Sequence, residues 1–159
     1  MTYLKKGFDN NKTYFESNLQ ASKIPTIFIH GVGLDNSMWI PQKTFFSNQS
    51  VIFYDILNHG KSQKGFSELS FQKFSKQLDD LVNYLNVKNI NLVGFSIGAL
   101  IAQHYTEKNY KKVNKLVLIG SVYKRTEEQI KTVKNRFTNA LNGESITTDS
   151  IKRWFTEPY

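Results

Sequence analysis

Four short segments of the chain are continuously apolar, and turn-forming residues follow most of them. They are residues 24–30 (IPTIFIH), 50–56 (SVIFYDI), 89–95 (NINLVGF) and 113–121 (VNKLVLIGS). Their apolar residues do not alternate with polar ones, which is typical of strands covered on both faces, as in a parallel sheet. The pattern therefore predicts four buried strands.

Between these strands the apolar residues recur at helical spacing. Residues 70–85 place their apolar side chains on one stripe, and Ser70 can cap the start of that helix. Residues 97–110 predict a more buried helix. Residues 37–46 predict a weaker one, because Pro41 must lie in its first turn or break it. The stripe of the first helix consists of Phe71, Phe74, Leu78, Leu81, Val82 and Leu85. Strands that alternate with helices at these lengths predict an α/β sheet with right-handed crossovers.

The two ends of the chain depart from this alternation. Residues 3–8 and 12–17 could add an antiparallel hairpin at one edge of the sheet. After Ser121 the apolar spacing stays helical and no further strand intervenes. We therefore divide the chain into a sheet core, residues 1–123, and a helical segment, residues 124–159.

The helical segment has its own start and stop residues. Thr126 and Gln129 have the spacing of a capping box, and Gly143 can end the helix that they begin. Residues 150–155 predict a second short helix. The apolar stripe of the first helix consists of Ile130, Val133, Phe137, Ala140 and Leu141.

Composition and charge exclude several classes of protein. None of the 159 residues is cysteine, which removes disulfides, thiolate metal sites and cysteine nucleophiles, and which fits a reducing, cytoplasmic location. No apolar window approaches a membrane span or a signal peptide. The net charge of +8 comes from lysines that are scattered, apart from residues 108–115, so we expect neither a nucleic-acid nor a membrane partner.

The candidate chemistry centres on Ser96, where a predicted strand ends and a helix begins. The segment Gly94-Phe95-Ser96-Ile97-Gly98 has small residues two positions to each side of the serine, as a very tight corner requires. Ser96 could be a small buried residue in a packed turn, or a nucleophile held out in a strained conformation. The helix N-terminus that follows favours developing negative charge, and this favours the nucleophile.

Two further motifs follow the first two buried strands. His30-Gly31-Val32-Gly33 comes directly after the first strand, and the backbone N–H groups of Val32 and Ile97 could together hold the oxyanion of a tetrahedral intermediate. Residues 55–62, DILNHGKS, come after the second strand.

These three motifs, in this order, resemble the α/β-hydrolase superfamily across essentially the whole chain. The resemblance implies an α/β-hydrolase fold, a mostly parallel sheet with helices on both faces, with residues 1–123 as the N-terminal part of the core. Residues 124–159 would begin a helical lid, within which the chain is truncated. The segment ending in RWFTEPY is similar to the lid of 3-oxoadipate enol-lactonases and related esterases. The family often has Arg-Gly before the second His-Gly, where this chain has Leu57 and Asn58; Asn tolerates the left-handed backbone of such a turn.

The resemblance also limits which histidine could act as the base. In the family pattern, His30 shapes the oxyanion loop rather than acting as a base, and we expect His59 to pack within its loop. His104 lies two helical turns beyond Ser96, roughly 12 Å along the helix axis, which is out of hydrogen-bond reach. The family's acid and histidine follow later strands, and no histidine follows His104, so we expect both to be missing from this chain.

The resemblance implies a serine hydrolase of a small-molecule carboxylic ester or lactone, acting through an acyl-enzyme on Ser96 without a cofactor or metal. Trp39 could line the substrate pocket or pack in the core, and Phe95 is a second pocket candidate. Cofactor-free haloperoxidases and C–C hydrolases share the motifs. A non-catalytic binding protein or an inactive fragment is the alternative from another class. The open edge of the last predicted strand could also pair with a second chain.

Overall fold

The computed structural model describes residues 4–142. The chain divides into two compact units, Met1–Ser121 and Val122–Tyr159, where the sequence predicted a boundary after residue 123. The predicted stop at Gly143 and the predicted helix at residues 150–155 lie outside the described residues. No helix among residues 4–142 is long and apolar enough to cross a bilayer.

The first unit is built on a six-stranded sheet in the order β1-β2-β4-β3-β5-β6. Its strands are β1 (Lys5–Phe8), β2 (Tyr14–Asn18), β3 (Thr26–Ile29), β4 (Val51–Tyr54), β5 (Ile90–Phe95) and β6 (Val113–Ile119). β3 lies parallel to β4 and β5, and β5 lies parallel to β6. β1 and β2 form the antiparallel hairpin at one edge, and β2 joins β4. The predicted α/β-hydrolase fold, with its mostly parallel sheet, is confirmed.

Helices cover both faces of this sheet. They are α1 (Ile40–Phe45), α2 (Phe71–Tyr84) and α3 (Ile97–Asn109), with a 3-10 turn at Asn36–Trp39 before α1. Ile27 and Ile29 of β3 pack with α2 and α3 in one core cluster, whereas Phe28 packs with Trp39 in the other. Neighbouring residues of β3 therefore face two different cores, and this explains why its apolar run does not alternate.

The predicted helix starts are present. The Ser70 hydroxyl accepts a hydrogen bond from the Lys73 N–H (3.2 Å) at the start of α2. Pro41 lies in the first turn of α1. In the second unit, α4 (Glu127–Leu141) begins with the predicted capping box. The Thr126 N–H donates to Gln129 Oε1 (2.9 Å), and the Gln129 N–H donates to the Thr126 hydroxyl (3.3 Å).

The burial predicted for the last strand is wrong. Within residues 4–142, β6 pairs only with β5, and its other edge has no partner strand. Without a second neighbour, its apolar side chains stay between one third and one half exposed, at Leu116, Val117, Leu118 and Ile119. Phe71, predicted on the buried stripe of α2, is also 38% exposed because it lies in the first turn, at the margin of the core.

We expect the open edge of β6 to make the 159-residue chain self-associate, since unpaired strand edges accept a strand from a second copy. Val117→Lys should weaken this association by roughly tenfold or more, because pairing would bury the added charges. Sedimentation velocity across a range of concentrations measures the effect. Phe45→Lys is the control, because Phe45 is 77% exposed on α1. Equal association of both variants and the wild type would contradict pairing through β6.

Candidate functional site

Ser96 occupies a strained corner between β5 and α3. Its backbone has φ 54° and ψ −117°, a region that side-chain-bearing residues rarely adopt and that costs about 1–3 kcal/mol. The Ser96 N–H donates to Ile119 O of β6 (2.9 Å), and its carbonyl accepts from the Ala99 N–H (3.0 Å) of the first turn of α3. β6 and α3 therefore hold the strained residue in place.

Gly94 and Gly98 allow this corner to be so tight. A Cβ at Gly94 would lie 2.6 Å from the Ala99 Cα and would overlap the Gly98 carbonyl. A Cβ at Gly98 would lie 2.6 Å from the His30 carbonyl oxygen and would overlap that of Ile29. The obstacles are backbone atoms, which cannot move aside as a flexible side chain can.

The loop formed by residues 30–35, named here the β3 loop, lies against this corner. The Leu34 N–H donates to Gly31 O (3.3 Å), and Gly33 adopts φ +74°, which closes a tight turn. A Cβ at Gly31 would lie 2.9 Å from the Phe95 ring, so the loop packs on the residue that precedes Ser96. Val32 is 60% exposed at the top of the turn. Within residues 4–142, its N–H has no hydrogen-bond acceptor.

The N-terminus of α3 provides further free donors. The first N–H groups of a helix have no acceptor within it, and Ile97 is the first residue of α3. Because β3 and β5 are neighbouring parallel strands, the β3 loop and the start of α3 leave the same edge of the sheet. Unpaired N–H groups from both segments therefore lie on the side of the sheet that carries Ser96.

His30 is buried and uses both ring nitrogens in the fold. Its Nε2 accepts the Ile56 N–H (3.0 Å), which leaves Nδ1 to carry the proton and to donate to Gly31 O (2.8 Å). Burial is the largest influence on its pKa and lowers it, and the neighbouring His59 acts in the same direction. A neutral imidazole with both nitrogens engaged has no lone pair for a serine hydroxyl.

Asp55, which follows β4, joins the β3 loop region to the loop after β4. One carboxylate oxygen accepts the backbone N–H and the side-chain N–H of Asn36 (2.7 Å each), and the other accepts the Lys61 N–H (2.8 Å). Gly60 has φ +50°, and a Cβ there would overlap the Asp55 carboxylate. The Ser62 hydroxyl donates to Asp55 O (2.6 Å). Asp55 therefore organises the motif at residues 55–62, a role that the sequence analysis did not assign to it. The sequence signal for this role was an aspartate placed directly after an apolar strand.

The remaining candidates have packing partners of their own. His59 Nδ1 contacts Leu57 O (2.9 Å), and His104 Nδ1 contacts the Ser75 hydroxyl (2.7 Å). Asn58 does adopt left-handed backbone, at φ 64°, and its amide bonds both polar groups of the Phe66 backbone.

The two aromatic pocket candidates differ in burial. Trp39 is 4% exposed and packs on Phe28, with ring centroids 5.2 Å apart. Phe95 is half-buried between the positions of Gly31 and Gly120. Of the two, Phe95 is the one that adjoins Ser96.

An open cleft of about 540 Å³ lies between the β3 loop and the loop after β4. Hydrogen bonds from Ser37 hold the pKa of the Asp35 carboxyl below its ordinary value, so the cleft carries a negative charge. Its described lining contains no lysine or arginine and consists of Gly33, Leu34, Asp35, Ser37, Met38, Asn58, His59 and Gly60.

Comparisons with known proteins agree with the fold. A family model described as the alpha/beta hydrolase fold matches residues 25–144. An (E)-2-((N-methylformamido)methylene)succinate hydrolase from Acinetobacter baylyi is 32% identical over 149 residues, covering 92% of this chain and 56% of that protein. The 3-oxoadipate enol-lactonase 2 of the same organism is 24% identical, covering 86% of this chain and 52% of its own length.

A solved structure shows the same fold at lower sequence identity. A hydrolase from Pseudomonas aeruginosa superposes with a TM-score of 0.79 at 18% identity, covering 96% of this chain and 59% of that one. The chain spans about half the length of the curated relatives it matches.

We expect Gly98→Ala to lower the free energy of unfolding by several kcal/mol, because its Cβ meets backbone carbonyls that cannot move independently. Gly33→Ala is the matched control. It has positive φ but open space, so it should cost only about 1–2 kcal/mol. Urea unfolding monitored by tryptophan fluorescence measures both. An equal loss of unfolding free energy in both variants would show that the corner at Ser96 has room for a side chain at position 98.

We expect His30 to make stability depend on pH. A base whose pKa is lowered by folding binds protons more readily when unfolded. The contribution of His30 to the free energy of unfolding is therefore complete above its unfolded pKa of about 6.5, and it is lost as the pH falls below that value. His30→Gln keeps one donor and one acceptor but cannot titrate, so its free energy of unfolding should fall less steeply below pH 6.5.

Urea unfolding at several pH values between about 5 and 8 gives the slopes. A His30→Gln slope as steep as the wild type would show that His30 is not the titrating group.

Proposed function

Since this chain belongs to the α/β-hydrolase family, we propose that it carries the nucleophile and oxyanion hole of a serine hydrolase acting on small carboxylic esters or lactones. The observation that supports this proposal is the strained backbone of Ser96 at the corner between β5 and α3. A strained backbone persists only where surrounding contacts impose it, and such positions cluster at active sites. The name of one relative, a 3-oxoadipate enol-lactonase, supports the choice of esters or lactones as substrates.

The proposed reaction begins with attack of the Ser96 hydroxyl oxygen on the substrate carbonyl carbon. The C=O π electrons move onto the carbonyl oxygen, and the N–H groups of Val32 and Ile97 donate to that oxyanion. A base takes the Ser96 hydroxyl proton during the attack. Collapse of the intermediate expels the alkoxide, which takes this proton from the base and leaves as an alcohol, and an acyl-enzyme remains on Ser96. Water then attacks the acyl group and releases the carboxylic acid. In a lactone, the alcohol and the acid belong to one product molecule.

This mechanism needs a base, and the chain's three histidines all bond to groups other than Ser96. His30 has both ring nitrogens engaged. His104 bonds to Ser75 of α2 and stacks on Phe71, at a ring distance of 6.0 Å. His59 bonds to Leu57 O within its own loop. We therefore assign the base, and the acid that orients it, to residues outside these 159.

We expect a fluorophosphonate probe to label the full-length protein at Ser96, because the probe traps activated serine nucleophiles covalently. Ser96→Ala should abolish the labelling, measured by intact mass and by peptide mapping. Ser22→Ala is a matched control, because Ser22 is also a serine with positive φ (61°) but lies in an exposed turn. Labelling that persists in Ser96→Ala would exclude Ser96 as the nucleophile. A folded, full-length protein that is never labelled would favour a non-catalytic binding protein.

A further inference from the structure

A row of buried polar side chains connects the edge hairpin to the β3 loop. It begins at Glu16 of β2, passes through Lys43 of α1 and Asn36 of the 3-10 turn, and ends at Asp55 after β4. The sequence motifs do not include Glu16, Lys43 or Asn36. Glu16, Asn36 and Asp55 are all less than one tenth exposed.

Asn36 uses its backbone N–H and both polar atoms of its side chain. Its backbone N–H and its side-chain amide both donate to Asp55 Oδ1 at 2.7 Å, and its Oδ1 accepts from Lys43 Nζ. Asn36 directly follows the β3 loop, so fixing its backbone fixes the exit of that loop. On the entry side, the two ring bonds of His30 hold the loop.

Lys43 is the centre of this row. Its ammonium donates to Glu16 Oε2 at 2.9 Å as well as to Asn36, and its side chain is only 14% exposed. Glu16 also accepts the Tyr14 hydroxyl (3.0 Å). Burial is the largest influence on the Glu16 carboxyl and would raise its pKa. The hydrogen bond and charge of Lys43, the Tyr14 hydrogen bond and the charge of Lys6 together outweigh burial and lower this pKa. The ammonium also lies over the Phe53 ring, 5.4 Å from its centroid.

We propose that Lys43 and Asn36 are positioning residues that hold the β3 loop, and with it the Val32 N–H, at a fixed place relative to Ser96. The proposal rests on the proposed function for its catalytic consequence, while the restraint on the loop stands without it. Lys43 fixes the side-chain oxygen of Asn36, and so orients the amide that donates to Asp55. A turn held less firmly at this end would sample other positions of the Val32 N–H, and small misplacements of a catalytic group reduce rate strongly.

A different reading is that Lys43 only neutralises Glu16. The two interpretations predict different outcomes for substitutions at Glu16 and at Lys43. Glu16→Gln removes the buried carboxylate but leaves the bond from Lys43 to Asn36, so positioning predicts a small effect on the loop. Lys43→Met removes that bond and keeps an unbranched apolar stem over Phe53. The double variant Glu16→Gln/Lys43→Met lacks the bond to Asn36 without leaving an uncompensated charge, and remains informative if Lys43→Met alone does not fold.

The experiment measures two quantities in the full-length protein. Hydrogen exchange followed by mass spectrometry reports the protection of peptides that cover residues 30–36. Fluorophosphonate inactivation separates the rate of phosphonylation of the serine from probe affinity. With the double variant we expect exchange in that segment to rise roughly tenfold or more, and the phosphonylation rate to fall by a similar factor at unchanged probe affinity. Lys43→Arg should restore part of both, and Lys76→Met, which breaks an exposed ion pair on α2, should change neither.

Each outcome decides between the possibilities. Unchanged exchange at residues 30–36 in the folded double variant overturns the proposal, as does a Glu16→Gln effect equal to that of Lys43→Met. A uniform loss of protection across the sheet would show a general structural role and would also overturn it. If labelling persists in Ser96→Ala, the proposed function fails, while the exchange measurement still tests whether Lys43 and Asn36 hold the loop.

Discussion

The close approach of the first turn of α3 to the end of β3 is the constraint on which the rest of the site depends. Gly98 lies directly against the carbonyl oxygens of Ile29 and His30, and Gly94 lies directly under that same turn. At this distance the chain can reverse from strand to helix only through a residue with unusual backbone angles, and that residue is Ser96. The strain at the serine is therefore a consequence of packing between two regular elements, and the free N–H groups at the helix start come with it.

The loops that surround Ser96 are held by buried polar groups rather than by regular structure. His30 engages Ile56 and Gly31, and Asp55 engages Asn36 and Lys61. Each of these side chains follows a buried parallel strand, so the sheet places them and they in turn place the loops. The two core clusters beneath are formed by hydrophobic residues, with Phe28 on one face of the sheet and Ile29 on the other.

Much of this arrangement could be predicted from the sequence, because it depends on local patterns. The apolar runs identified the parallel strands, the capping residues identified the starts of α2 and α4, and the glycine spacing identified the corner at Ser96. The open edge of β6 was expected, but the apolar run VLI wrongly predicted burial, because burial depends on what lies beside the strand and not on the run itself. The contact between Lys43 and Asn36 could not be predicted either. It is one link in a row of bonds from Glu16 to Asp55, and these residues are far apart in the sequence.

The contact between Gly60 and Asp55 has a consequence for how this chain can vary. Any side chain at position 60 would overlap the carboxylate that receives the Asn36 and Lys61 donors. A substitution at position 60 is therefore tolerated only after residue 55 has become smaller, and a smaller residue 55 leaves those donors without an acceptor. A single substitution at either position is therefore destabilising. Libraries that diversify the cleft should vary Asp55 and Gly60 together.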